Sequence, residues 1–302
     1  MNHQNNIGGQ AVIEGVMMRD KDRYSVSVRL PDNSIETIVE SIKPWHDIFK
    51  KPFLRGIKAL GENLKIGYKT LQWSAEKQEA KTDTEKKKSS SFWDYFTVVF
   101  SIVFAIGLFI VLPNLLIHFL GLIEDQEPLL FNLISGFVRL SVFFIYILSI
   151  SMVKDVRRIF QYHGAEHKVI HAFEAGLELN YENIKKYPTL HKRCGTSFIF
   201  LLIFLGILFF AMMPPLLALV FSDFKDWSML VKKIVIFGTH IIFLPVLASL
   251  SYEVLKISAK KNWIGKSLVF LAYPGLFFQK ITTKEPDEGQ VEVAIASLKA
   301  LL

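Results

Sequence analysis

The chain has 302 residues, enough for two or three soluble domains, but 51% are hydrophobic, 26 are phenylalanine and the mean hydropathy is +0.32, which points to a membrane protein instead. Its formal net charge of +7 speaks for anionic lipid and against nucleic acid, because the basic residues flank apolar runs. A single cysteine excludes an internal disulfide.

In chain order, no basic start leads from Met1 into an apolar run, so no secretory signal is expected. Glycines at 8, 9 and 15 bracket a short apolar run with one carboxylate, Glu14. This predicts a strand or tight loop, with Glu14 either at its edge or as a polar group inside a site. Tyr24 to Leu30 alternates with period two, Pro31-Asp32-Asn33-Ser34 is turn chemistry, and Ile35 to Val39 resumes the alternation, so a hairpin is expected. Residues 52–76 read as a helix whose lysines at 58, 65 and 69, with Arg55, suggest an amphipathic element lying on the membrane or on the helical bundle. Residues 1–76 thus form a cytoplasmic N-terminal region, followed by a charged, solvated linker over 77–93.

Four runs exceed the roughly 20 apolar residues needed to cross a bilayer core. They cover 94–120 and 129–153 within the segment 94–153, and 198–221 and 231–257 within 197–257. Pro214-Pro215 is expected to kink or end the third. Lys and Arg concentrate in 77–93, in 154–196 and after the fourth span, whereas Glu124 to Glu127 has neither. The positive-inside rule then puts both termini and the 154–196 loop in the cytoplasm of a multi-pass membrane protein. Arg139 lies about 15 Å from the outer end of span two, at 1.5 Å per residue, and His240 lies at a similar depth in span four. Both should face the bundle or a wet cavity, as structural anchors or on a transport pathway. Glu253 lies near the cytoplasmic end of span four, within reach of the central loop. Residues 258–302 comprise an apolar stretch at 263–278, read as interfacial or re-entrant, and a docking tail with a proline-bounded acidic turn and a short helix. The fold class is mainly α: a polytopic four-helix transmembrane bundle with a small cytoplasmic α+β portion of N-terminal hairpin, His/Glu helix and C-terminal tail.

Chemistry concentrates in the loop 154–196. His163, Glu166, His167, His171 and Glu174 put three imidazoles and two carboxylates within twelve residues. His163 to His167 is H-x-x-E-H, the ligand-base-ligand spacing of inverzincin metalloproteases. On a helix, His163, His167, His171 and Glu174 share a sector of roughly 80°, and Glu166 stands about 60° to one side of His163. Two imidazoles can thus bind a divalent ion, zinc by its donor type, while Glu166 reaches a water as general base. The bland alternative is a solvated, His-rich surface. His191 and Cys194 add two ligating side chains, although Cys194 could equally be an ordinary buried thiol.

Four stretches together resemble the YqhQ family, uncharacterised bacterial membrane proteins labelled predicted metal-dependent enzymes. They are Gly8 to Arg19, Tyr162 to His167, His191 to Thr196, and Thr282 to Ala296. The resemblance implies a metal and catalysis but names no substrate. Two functions stay open: a metal-dependent hydrolase at the cytoplasmic membrane face, or a non-enzymatic scaffold or transporter-like protein with a structural metal clip. For the third ligand the candidates are Glu174, His191, Cys194 and Glu253; a shell of His163, His167, His191 and Cys194 would be closed and structural. Besides the lipid bilayer and an unidentified substrate, the sequence leaves an oligomer open.

Overall fold

Two further strands precede the expected hairpin, and the computed structural model joins all four in one sheet. The structure describes residues 7–79, 91–121, 128–191, 194–258, 263, 267 and 273–302. Residues 80–90 of the expected linker, the acidic loop at 124–127, Lys192, Arg193 and half of the 263–278 stretch lie outside the described residues.

Strands β1 (Gly8–Val12), β2 (Gly15–Arg19), β3 (Arg23–Arg29) and β4 (Ile35–Ser41) form an antiparallel meander in sequence order. The expected hairpin is β3–β4, paired from Arg23↔Ser41 to Arg29↔Ile35. The preceding segment is not a lone strand or loop but a second hairpin, in which Val12 pairs with Gly15 across Ile13 and Glu14. Glu14 takes a φ of +51°, a left-handed conformation that glycine or asparagine usually supplies, so the turn lacked its usual sequence signal.

Helices follow: α1 (Leu54–Glu79), α2 (Ser91–Ile106), α3 (Leu112–Phe119), α4 (Pro128–Ile150), α5 (Lys154–Glu174), α6 (Tyr181–Ile184), α7 (Gly195–Ala211), α8 (Met213–Val220), α9 (Met229–Ser258), α10 (Tyr273–Thr282) and α11 (Glu288–Lys299). The chain divides into two units. One comprises Met1–Glu85, Leu148–Phe200 and Tyr252–Leu302; the other comprises Lys86–Ile147 and Leu201–Ser251.

The first unit is layered about the sheet. Alternation sends Val12, Met17, Tyr24, Val26 and Val28 to one face, where they pack with Ile66 of α1. It sends Val16 and Met18 to the other, against Tyr162, Ala165 and Val169 of α5 and Val291, Ala294 and Leu298 of α11. α1 therefore lies on the sheet by one face, rather than only on a membrane or bundle. That face is made of small residues, among them Gly56, Ala59, Gly67, Thr70 and Ser74, and Ser74 Oγ accepts from Ile13 N at 3.2 Å. The tail is likewise part of the core. A capping box joins Asp287 and Gln290 at the start of α11, and Ser25 Oγ donates to Ser297 O at 2.6 Å.

In the second unit, proline marks two breaks in regular helix, at Pro113 and at Pro214-Pro215, whereas Pro245 is carried inside α9. Before Pro113 the helix widens into one π-turn, Gly107–Val111, and Leu112 N reaches back to Gly107 O; Pro113 has no N–H to continue the ladder. Pro214 and Pro215 fall in the first turn of α8, where a missing N–H costs nothing, so the apolar run breaks at Met212. Four helical stretches, Tyr95–Phe119, Leu130–Ile150, Gly195–Val220 and Met229–Ser258, are long and apolar enough to cross a membrane. Arg139, expected to face a bundle or cavity, is exposed and donates to Asn114 Oδ1 at 3.2 Å, a polar partner one helix away. His240 is half-buried with its ring 4.0 Å from that of Phe210.

Candidate metal centre

Tyr162, Ala165, Val169 and Ala172 recur at helical spacing and bury α5 against the sheet and α11. The adjoining stripe of the same helix is His163, His167, His171 and Glu174. Backbone carbonyls fix its imidazoles. His163 Nδ1 donates to Thr282 O at 2.8 Å, His167 Nδ1 donates to Thr189 O, and His171 Nε2 donates to Leu190 O at 2.9 Å. A carbonyl only accepts, so each ring keeps the lone pair of its other nitrogen, as metal-binding histidines do.

These rings meet the loop before α7. His163 Nε2 is 3.2 Å from Cys194 Sγ, and the rings of His163 and His167 are 4.5 Å apart. His163, His167 and Cys194 can place their ligand atoms within 4.8 Å of one another, and so can His171, Glu174 and His191. The structure thus separates His191 from Cys194. His191 joins the far end of the stripe, its ring 4.6 Å from His171 and 5.6 Å from His167. Cys194 sits at the start of α7, where Thr196 N and Thr196 Oγ1 lie 3.4 and 3.1 Å from its sulfur.

Burial sets the electrostatics. It pushes His167 down to about 2, with His163 adding to the shift, and His191 down to about 4, helped by His171, so both rings are neutral and able to ligate. Burial also raises the Cys194 thiol, against the hydrogen bonds from Thr196. It lifts Glu166 to about 8, opposed by His163 and by a hydrogen bond from the Gly9 backbone. Glu166 Oε2 lies 3.4 Å from His167 Nε2.

The other sequence candidates lie elsewhere. Glu14 binds Arg158, with Nη2 at 2.6 Å, and accepts from Tyr162 Oη at 3.2 Å. That pairing anchors the left-handed turn to α5. Glu253 is 2.6 Å from Arg55 Nε and accepts from Phe53 N at 3.4 Å, an ion pair at the start of α1. Arg139 and His240 belong to the second unit.

Sequence reasoning missed five supports. Gly9 touches Glu166: a Cβ there would stand 2.7 Å from Glu166 Cγ, and a glycine inside a strand is the signal of such an approach. Gly164 admits the Lys284 backbone, since a Cβ would collide with Lys284 O. Lys284 N donates to Phe160 O at 2.8 Å beside it. Gln279, fully buried, clamps the loop by accepting from His191 N at 2.8 Å and donating to His191 O at 2.9 Å. Thr189 and Thr282 act through main-chain carbonyls, which no side-chain pattern announces.

Proteins similar in sequence to this chain have no assigned activity. A family profile described as "Protein of unknown function (DUF1385)" matches residues 51–302. The chain is also similar to the uncharacterized protein YqhQ of Bacillus subtilis (strain 168). The two are 36% identical over 316 aligned positions, covering 98% of this chain and 92% of that one. No solved structure matches the chain.

Proposed function

Because the chain belongs to the DUF1385 family, whose description states no activity, we propose a function from the site itself: a membrane enzyme that holds a divalent, zinc-like ion on His163, His167 and Cys194 and uses it for hydrolysis. The observation that carries this reading is His167 Nε2, a buried nitrogen with no hydrogen bond among the described residues. Its lone pair faces the group that includes Cys194 Sγ and His163 Nε2. Two imidazoles and one thiolate suit zinc, and three protein ligands are the number that catalytic sites use. When bound, the ion supplies Lewis acidity at neutral pH.

The protein's own groups do the rest. Burial alone keeps Glu166 protonated at neutral pH. The charge of a bound cation beside it would favour the ionised form, which would accept a proton on Oε2, the oxygen nearest His167, while the Gly9 amide holds the carboxylate in place. The Thr282 and Thr189 carbonyls orient the two rings and fix their tautomers. Near-complete burial of Glu166 and His167 excludes bulk water. The same burial favours a second reading, a structural clip in a non-enzymatic scaffold or transporter-like protein.

Glu166→Gln and His167→Ala separate the two. Cobalt-loaded protein reports the centre through thiolate-to-metal absorption, and complementation of a deletion strain reports function. For an enzyme, Glu166→Gln keeps the absorption and loses complementation, whereas His167→Ala loses both. Complementation by a Glu166→Gln protein that still binds metal would leave only the clip. Equal metal loss in both variants would make Glu166 a ligand or a structural group.

We further infer that the protein is multi-pass in the bacterial cytoplasmic membrane, with both termini and the metal centre cytoplasmic. Lys154, Arg157, Arg158, Lys168, Lys185 and Lys186 support that side. At most 33% of any candidate span is buried within the protein, which suits lipid contact. Reporters inserted at Gly176 and fused after Leu302 should both report cytoplasm; an external signal from Gly176 would reverse the orientation.

A further inference from the structure

One turn beyond the proposed centre, α5 presents a second set of donors that the centre does not use. His171, Glu174 and His191 can bring one ligand atom each within 4.8 Å of the others. Their settings are built rather than incidental. His171 is held on one side by Leu190 O at 2.9 Å and stacks on Tyr187, with ring centroids 5.8 Å apart and planes 8° from parallel. This leaves Nδ1 with its lone pair. His191 is tied through its own N–H and carbonyl to the buried Gln279 amide, which also donates to Ser197 Oγ at 3.0 Å.

His191 Nε2 and Glu174 Oε2 stand 3.8 Å apart. That is too long for a hydrogen bond and close to the roughly 3.4 Å between two donors that share one tetrahedral ion at about 2.1 Å from each. The four imidazoles form one unbroken row, with His163–His167, His167–His191 and His191–His171 ring centroids 4.5, 5.6 and 4.6 Å apart. Cys194 lies at one end of it and Glu174 at the other.

We propose that His171, Glu174 and His191 bind a second divalent cation, so that the row from Cys194 to Glu174 is a two-ion centre. This rests on the metal reading of His163, His167 and Cys194. The second donor set has two nitrogens and one carboxylate and no sulfur. It therefore takes harder ions, manganese, iron(II), cobalt or zinc, and holds them less selectively than the thiolate group does.

The test uses the full-length protein in detergent, stripped with a chelator and titrated with cobalt alone. Bound metal is counted by mass spectrometry, and thiolate-to-cobalt absorption marks the first position. Wild type should take up two ions per chain. Glu174→Gln should take up one with the absorption undiminished, and His171→Ala should do the same. Cys194→Ser should bind one ion and lose the absorption. Wild type that saturates at one ion with full absorption, and a Glu174→Gln variant identical to it, would overturn the second site and leave the first standing. Loss of both ions in Glu174→Gln would also overturn it, since the six residues would then be one site. Two ions in wild type with no thiolate absorption would instead remove Cys194 from the first position, and the further loss of one ion in Glu174→Gln would uphold the second.

Discussion

The two units of the chain solve opposite packing problems. The one built from Met1–Glu85, Leu148–Phe200 and Tyr252–Leu302 buries polar groups beside its apolar core, among them Ser25, Glu166, His167, Lys168, His191, Gln279 and Gln290. Each such group needs a partner in a fixed place, because an unmatched one costs about 1–3 kcal/mol. The unit of Lys86–Ile147 and Leu201–Ser251 turns Phe100, Val103, Ile145, Phe237 and Ile242 outward. Its outward surface requires only that side chains be apolar and long enough in series, so identity at any one position matters little. Tolerance to substitution should therefore differ in sign as well as size.

Glycine to alanine gives the largest contrast. At Gly164 the new methyl meets Lys284 O and lies 3.2 Å from Thr189 Cγ2. The carbonyl has little room to retreat, since Lys284 N is bound to Phe160 O and Thr189 O holds His167. Overpacking against backbone should cost about 3 kcal/mol, and the displaced Thr189 should weaken metal retention. At Gly238, inside α9, a Cβ meets nothing within 4 Å, so helix propensity alone acts and favours alanine by up to about 1 kcal/mol. Thermal unfolding in detergent should move down for Gly164→Ala and level or up for Gly238→Ala. Shifts of the same sign would break the contrast.

The same difference governs what the sequence could reveal. The four long helices were legible because apolar length is a property of composition, and Pro214-Pro215 marked a break that occurs beside them. The β3–β4 hairpin was legible from alternation and from the Pro31 to Ser34 turn. On α5, spacing of four put His163, His167 and His171 on one stripe, and the structure keeps them there. What failed was anything set by partners distant in the chain. Glu253 finds Arg55, 198 positions away, and helix geometry gave no hint of it. The loop carrying His191 and Cys194 was legible as a pair of donor side chains, but which end of the stripe each would meet depends on Gln279, whose role no local pattern encodes. The β1–β2 turn stayed hidden because Glu14 occupies a conformation its residue type disfavours, held there by Arg158 and Tyr162.

The smallest contrast lies on the other face of the sheet, where the polar and apolar demands meet. Tyr24 is 4% exposed in the layer between sheet and α1, and its hydroxyl donates to the Glu40 carboxylate. Lys69 Nζ also reaches Glu40, at 2.7 Å from Oε1. Tyr24→Phe keeps the buried ring and removes only the O–H, and Glu40 retains Lys69 and solvent, so no buried group is orphaned. The loss should be about 1 kcal/mol at neutral pH. Its pH dependence follows from Glu40, whose carboxyl is held below its ordinary 4.5 first by Lys69 and then by Tyr24. A depressed folded-state value means that the folded protein binds fewer protons than the unfolded chain. The stabilisation is thus fully present above 4.5 and is lost as pH falls through the folded value. Denaturant midpoints of wild type and Tyr24→Phe should differ at pH 7 and converge below pH 4.5. A gap that persists unchanged in acid would assign the effect to packing of the hydroxyl and not to its bond with the ionised carboxylate.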